Sequence, residues 1–401
     1  MAESEQRTSS WKWLLALFTL AGFVETIFWG QISAFTPLYL PILGVARGDI
    51  AKWTGLITAV SSAVGIPFLP LWGALADRFA RQPIIIRSFV VHAVAGILAI
   101  LAQNVWVFLA GRAVMNLSLG NSGLMMTTLS ERAPEKRQGL VFSVMNSAGP
   151  VGVYVGPLLG GPVVDHFGFR WLLAIDVLLM LVVIFSLAYG YKDEFKGRAE
   201  ASLLRMAVNS VFVILRSPRL RVLFPALFLL FSGWMLAFTY VPLTVMAHYR
   251  GPDQGMVVGL VMGSAGLLAF IFGPAIGLLA DRFGHWRVVL IGAILEVLLW
   301  PVPAYMSGLF SFAVAWTLLN GLTSGVFAIS FSILASSAAP AVRGRVMSFS
   351  YLPINIGSAL GPAIGSVVAK QNVLMVFPTA SVLTAAGIVT LLIAYRKQPD
   401  A

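Results

Sequence analysis

Of the sixteen acidic residues in the sequence, three stand inside long apolar runs: Glu25, Asp176 and Glu296. One of the 27 basic residues, Arg112, and one of the four histidines, His92, do the same. A charge near the centre of a bilayer costs at least about 2.5–3.5 kcal/mol, so such residues persist mainly where they face a cavity or a partner. Glu25 lies about twelve residues into its run, roughly 18 Å along a helix, with Trp29 and Gln31 just beyond it. A carboxyl at that depth can take up and release a proton as its surroundings change, or pair with a cationic ligand. The plainer alternative is a carboxyl hydrogen-bonded to a neighbouring helix. Asp176, Glu296 and His92 are further candidates, although a lone membrane histidine is commonly a satisfied packing residue.

The rest of the chain must carry these residues through lipid. Its 401 residues are 58% apolar and 11% charged, with no cysteine and a formal charge of +11. Soluble domains run at about 45–50% apolar and about 25% charged. The composition points to a polytopic membrane protein and disfavours a soluble enzyme. Without cysteine there is no disulfide framework and no thiolate chemistry, and the histidines lack metal-ligand spacing. No G-x-x-x-x-G-K-[ST] phosphate loop is present, so movement of a solute would have to draw on a gradient. No catalytic constellation and no cofactor site stand out.

A crossing helix needs about 20 mostly apolar residues. Twelve such runs occur, at 13–40, 52–76, 84–103, 105–129, 139–163, 171–190, 222–247, 256–280, 288–306, 309–335, 346–369 and 373–395. The expected organisation is a six-helix bundle over 1–190, a linker over 191–221 and a second six-helix bundle over 222–401. The linker carries an apolar-periodic stretch at 203–215 that suits a helix lying on the membrane surface. The first run reads as a true span, since acidic residues precede it and no small-residue cleavage site follows.

With these spans, Arg47, Lys52, Arg170, Arg250 and Lys370 lie on one face, Arg112 lies within a span, and the remaining 21 basic residues lie on the other face. The positive-inside bias therefore predicts that both termini are cytoplasmic, in a multi-pass protein of the cell membrane. The positive charge is a topology signal and implies no nucleic-acid partner.

The chain repeats itself. Gly73-Ala-Leu-Ala-Asp77-Arg78-Phe79 recurs as Gly277-Leu-Leu-Ala-Asp281-Arg282-Phe283, and Gly156-Pro157-Leu-Leu-Gly160 recurs as Gly361-Pro362-Ala-Ile-Gly365. Both matches fall at nearly one offset, so the chain is two six-span halves in parallel orientation. His92 and Glu296 occupy corresponding positions in the two copies. Two parallel halves with G-x-L-A-D-R after the second and eighth runs resemble the major facilitator superfamily over nearly the whole chain. Ala80 and Gln82 depart from that motif in the first copy, while Arg81 keeps it. The fifth run, with Gly152, Gly156, Pro157, Gly160 and Gly161, is similar to the signature of the twelve-span drug:proton antiporters. Ser143 stands where those relatives carry an earlier glycine.

The resemblance implies an all-α fold of twelve transmembrane helices and alternating access. It further implies that Gly73, Asp77, Arg78 and Arg81, with Asp281 and Arg282, gate the cytoplasmic face. Arg112 matches the arginine of the fourth-span motif, with Met115 and Asn116 departing from it, and by resemblance would serve proton coupling beside Glu25. Spans 1, 4, 7 and 10 would line the cavity, making Trp29, Gln31, Asn116, Trp234, Tyr240 and Asn320 candidate lining residues. Aromatic walls with few polar groups suit amphipathic compounds better than sugars. The expected function is export of such compounds in exchange for protons, by a monomer whose partners are the bilayer, protons and a small substrate. The alternative is a facilitator or proton symporter for a sugar or organic acid. A transport-inactive sensor is disfavoured by the short loops and the retained Asp77 and Asp281.

Overall fold

The computed structural model describes residues 10–68, 80–118, 121–193, 212, 214–339, 346, 349–350 and 352–397. Among the described residues the regular structure is all helical. The first half contains α1 (Trp11–Tyr39), α2 (Ile50–Gly65), α3 (Arg81–Leu101), α4 (Val105–Met115), α5 (Asn121–Arg132), α6 (Gln138–Phe167) and α7 (Phe169–Gly190). The second contains α8 (Leu220–His248), α9 (Gln254–Phe283), α10 (His285–Leu299), α11 (Leu309–Ser337), α12 (Leu352–Gln371) and α13 (Val376–Arg396).

Among the described residues, ten helical stretches are long and apolar enough to cross a bilayer. The two other expected runs differ in instructive ways. The run at 52–76 is described only as far as Phe68. The run at 105–129 is not one helix: α4 ends at Met115, a 3-10 turn takes Asn116–Ser118, and α5 begins at Asn121. Asn116 explains the tightening. Its side-chain amide donates to the Arg112 carbonyl at 3.2 Å, and its backbone N–H reaches the carbonyls of both Ala113 and Val114. Short polar side chains compete with the helical ladder in this way. The stretch expected as a surface helix at 203–215 lies largely outside the described residues.

Helix ends follow from local chemistry. Ser10 Oγ accepts from Trp13 N–H at 3.3 Å, and Asn104 Oδ1 accepts from the N–H groups of Trp106 and Val107 at 3.1 Å each, satisfying donors that a first turn leaves free. Gly284 joins α9 to α10 at φ 93°, a conformation that a side chain rarely adopts. Ala80, its counterpart in the first repeat, has φ −55°. The departure from the repeat is thus a change in backbone path, and alanine fits it.

The small residues of α6 set its distance from α1. A Cβ on Gly152 would stand 2.1 Å from Thr26 Oγ1, and one on Gly156 would stand 2.7 Å from the Ile27 carbonyl oxygen. The second repeat uses the same device between α12 and α8, where a Cβ on Gly361 would stand 2.3 Å from the Ser232 carbonyl oxygen. Without a hydrophobic drive between helices in lipid, close backbone approach supplies the packing.

Contacts between the halves gather toward the face away from the termini. There α6 meets α9, with Gly161 against Gly255 and the Pro157 carbonyl against Gly259. Asp165 accepts the N–H groups of Gly255 and Met256 at 2.7 Å each, capping the start of α9. α2 meets α12, with Gly55 against Pro362 and Asp49 paired to Lys370 at 3.7 Å. A continuous apolar core runs through the first half and across this contact. On the face bearing the termini, the second half keeps a separate cluster that includes Leu223, Ile276, Ile333 and Leu391. Among the described residues the halves are therefore joined on one face and part on the other.

Candidate functional site

Glu25 is the least buried of the three acids inside spans: its side chain is 16% exposed, whereas Asp176 and Glu296 are each 2% exposed. Three helices converge on it. Asn121, at the start of α5, donates its Nδ2 hydrogen to Glu25 Oε2 at 2.6 Å. His92 of α3 points Nε2 at Glu25 Oε1 across 3.8 Å, and Ser118 Oγ lies 3.4 Å from the same ring nitrogen. The interruption between α4 and α5 brings Ser118 and Asn121 here. In the sequence neither stood out, since both are small polar residues within an apolar run.

Arg112 is 4% exposed, and its Nη1 lies 3.3 Å from Met115 Sδ. Its Nε has no hydrogen-bond partner among the described residues, and no carboxylate there forms an ion pair with it. Asp176 Oδ2 and Glu296 Oε1 likewise have no partner among the described residues, although Glu296 meets the Thr323 hydroxyl.

The expected cavity residues divide. Trp29 of α1 stacks on Phe238 of α8 at 5.7 Å, and Phe238 packs on Trp234 at 5.0 Å. Trp234 Nε1 donates to Asn320 Oδ1 at 3.1 Å, while Asn320 Nδ2 donates to Tyr154 Oη at 2.9 Å and to the Ala265 carbonyl at 3.1 Å. An aromatic and amide chain thus bridges α1, α8, α11, α6 and α9. Gln31 donates to the Gly156 carbonyl at 3.0 Å and is buried. Tyr240 is fully buried between the halves, donating to the Ala51 carbonyl at 3.1 Å. It lines no open cavity in this conformation. Asn116, half-buried, is spent on its own helix.

Gly73, Asp77 and Arg78 lie outside the described residues. Arg81 is buried and pairs bidentately with Glu131, Nη1 to Oε2 at 2.6 Å and Nη2 to Oε1 at 2.8 Å. That pairing holds the Glu131 carboxyl below the ordinary carboxylate range. Asp193 accepts the backbone N–H groups of Arg81 and Gln82 at the start of α3. Gln82, where the motif usually has a base, donates to the carbonyls of Leu187, Ala188 and Tyr191 at the end of α7. The second copy is exposed: Asp281 pairs with His285 at 3.4 Å, and Arg282 lies 5.3 Å from the Phe283 ring. Arg87, one of the 21 basic residues expected on the face bearing the termini, lies in the second turn of α3 and reaches the Ser118 carbonyl at 3.5 Å.

The sequence profile of the Major Facilitator Superfamily matches residues 18–294 and 223–401. The chain belongs to that superfamily. It is a multi-pass membrane transporter, with the two-repeat helical fold of its relatives. Multidrug resistance protein MdtG of Serratia proteamaculans (strain 568) is 27% identical over 369 residues, covering 90% of this chain and 88% of the relative. The protein of the same name from Salmonella arizonae is 24% identical over 365 residues, covering 90% of each. Among solved structures, the nucleoside transporter NupG superposes with TM-score 0.78 at 14% identity, covering 96% of this chain and all of that one. A bacterial homologue of the human lysosomal transporter Spinster, in an inward-facing and unoccupied conformation, superposes at 0.71 with 15% identity, covering 96% and 95%. The human organic anion transporter MFSD10 does so at 0.69 with 17% identity, covering 95% and 99%.

Proposed function

We propose that this transporter exports small amphipathic compounds in exchange for protons, working as a monomer. Its halves, 1–190 and 222–401, rock about a central cleft while 191–221 tethers them. The observation that carries the reading is Glu25, a partly exposed carboxyl deep in α1 that is held by polar groups from two other helices. In the proposed cycle Glu25 takes a proton from outside and releases it inside, and Arg112, which has no carboxylate partner among the described residues, biases that exchange. With the termini taken as cytoplasmic, the parting of the halves among the described residues on that face supports reading this as the inward-facing state.

The MdtG relatives support efflux. The fate of the polar residues argues against the metabolite alternative. Asn320 is spent on helix contacts and Gln31 commits its Nε2 to the Gly156 carbonyl, which leaves an aromatic wall with few free hydrogen-bonding groups for a sugar. In the outward-facing state the gating residues Asp77, Arg78 and Arg81, with Asp281 and Arg282, would form charge pairs across the cytoplasmic face, and Gly73 would allow the close approach. The test is ethidium accumulation in an efflux-deficient host. Expression should lower it, and collapse of the proton gradient should restore it. Accumulation unchanged by the protein, or export that persists without the gradient, overturns the proposal.

A further inference from the structure

We infer that His92 is a positioning and proton-sharing partner of Glu25, so that the exchanged proton belongs to the pair. The inference rests on the reading of Glu25 as the coupling carboxyl and deepens it.

The ring's hydrogen-bond roles follow from its neighbours. His92 Nδ1 lies 3.0 Å from the Ser88 carbonyl oxygen. A carbonyl only accepts, so Nδ1 carries the hydrogen, and in the neutral ring Nε2 presents its lone pair. That lone pair faces Glu25 Oε1. Oε2 is already occupied by the Asn121 donor, so a proton on the carboxyl is directed to Oε1, on the imidazole side. Ser118 suits both states of the ring: its hydroxyl donates to a bare Nε2 and accepts from a protonated one. His92 is 4% exposed with the Phe28 ring packed against it at 5.9 Å. An imidazolium there is tolerable because a carboxylate stands beside it.

The loaded pair holds one proton and is neutral overall, as carboxyl and imidazole or as carboxylate and imidazolium. The unloaded pair is a carboxylate beside a neutral ring, free to attract a cationic substrate. The proton enters from water and returns to water, so no other co-reactant is needed. Other charged groups stand on the elements around the pair. Arg87 of α3 donates to the Ser88 hydroxyl and the Ser118 carbonyl. Arg112 lies on α4. Asp176 of α7 neighbours Val177, which meets Gly96 one turn along α3 from His92. At this level α2 beyond Lys52 and α6 before Tyr154 carry no acid or base.

The test uses the full chain in liposomes, with ethidium export driven by an imposed pH gradient and measured across a pH series. Glu25→Gln should abolish driven export. His92→Gln should retain export but move its pH midpoint toward acid by about one unit, since the proton loses its second acceptor. A His92→Gln profile that superposes on the parent while Glu25→Gln is inactive overturns the pair and spares the reading of Glu25. Full coupling in Glu25→Gln overturns that reading instead. Should His92→Gln fail to fold, histidine 15N spectra of the parent protein decide. His92 is expected to keep hydrogen on Nδ1 throughout, with Nε2 responding to pH. A ring protonated on Nε2 and bare at Nδ1 overturns the inference.

Discussion

Arg112 sits almost wholly within the protein, next to the thioether of Met115, where a guanidinium carries a desolvation cost of several kcal/mol unless a carboxylate offsets it. A residue kept for stability alone would be better served by an apolar side chain of similar volume. Arg112→Met is therefore expected to leave the melting temperature unchanged or raise it, while gradient-driven ethidium export falls at least about tenfold. Melting and transport assays on the same preparation check this. A variant that melts lower yet exports normally would make Arg112 a structural residue. The contrast with Arg81 is physical: its bidentate partner Glu131 is present, and the pair ties α3 to α5.

At the scale of elements, the glycine and proline run of α6 serves two different contacts. Gly152 and Gly156 face α1 within the first half, whereas Gly161 faces α9 across the halves. Overpacking costs about 1–3 kcal/mol in either place, but the consequences should separate. Gly156→Leu presses on the Ile27 carbonyl in every conformation and should lower thermal stability. Gly161→Leu presses on Gly255 only while this face is closed, so it should favour the state in which the face opens. Because the chain has no cysteine, Val258→Cys, buried at that contact, is a specific reporter. Maleimide labelling should rise in Gly161→Leu and stay at the parent level in Gly156→Leu. Equal labelling in the two would show that the contacts are not distinct.

For the whole molecule, the decisive feature is that, among the described residues, the halves share a core on one face and part on the other. Asp165 fastens the closed face by accepting two N–H groups at the start of α9. Loss of such a cap costs about 0.5–2 kcal/mol, here charged to the closed state alone. Asp165→Ala should therefore increase labelling of Val258→Cys several-fold, consistent with that energy. Lys370→Ala removes an ion pair whose two side chains are 57% and 45% exposed, and it should change labelling little, since exposed pairs contribute about 0–1 kcal/mol. A larger effect from Lys370 than from Asp165 would contradict this account of the closed face.

The apolar runs, ten of which are spanning helices among the described residues, the two repeats and the place of Glu25 midway along the first run were legible in the sequence. Lipid demands a fixed length of apolar helix with its backbone bonds satisfied internally, and a repeat is visible at one offset. Hydropathy presents 105–129 as one helix, since it does not register an asparagine whose amide turns back onto the carbonyl of Arg112. Azimuth was hidden as well. Helices apolar on all sides give little rotational signal, so the pattern could not say that Tyr240 is buried between the halves or that Asn320 is bound to Tyr154 and Trp234. Nor could it bring His92 and Asn121 to Glu25, the latter 96 residues away. That meeting was decided by tertiary packing: glycines set how closely the helices approach, and the break after α4 sets Ser118 against His92 and Asn121 against Glu25.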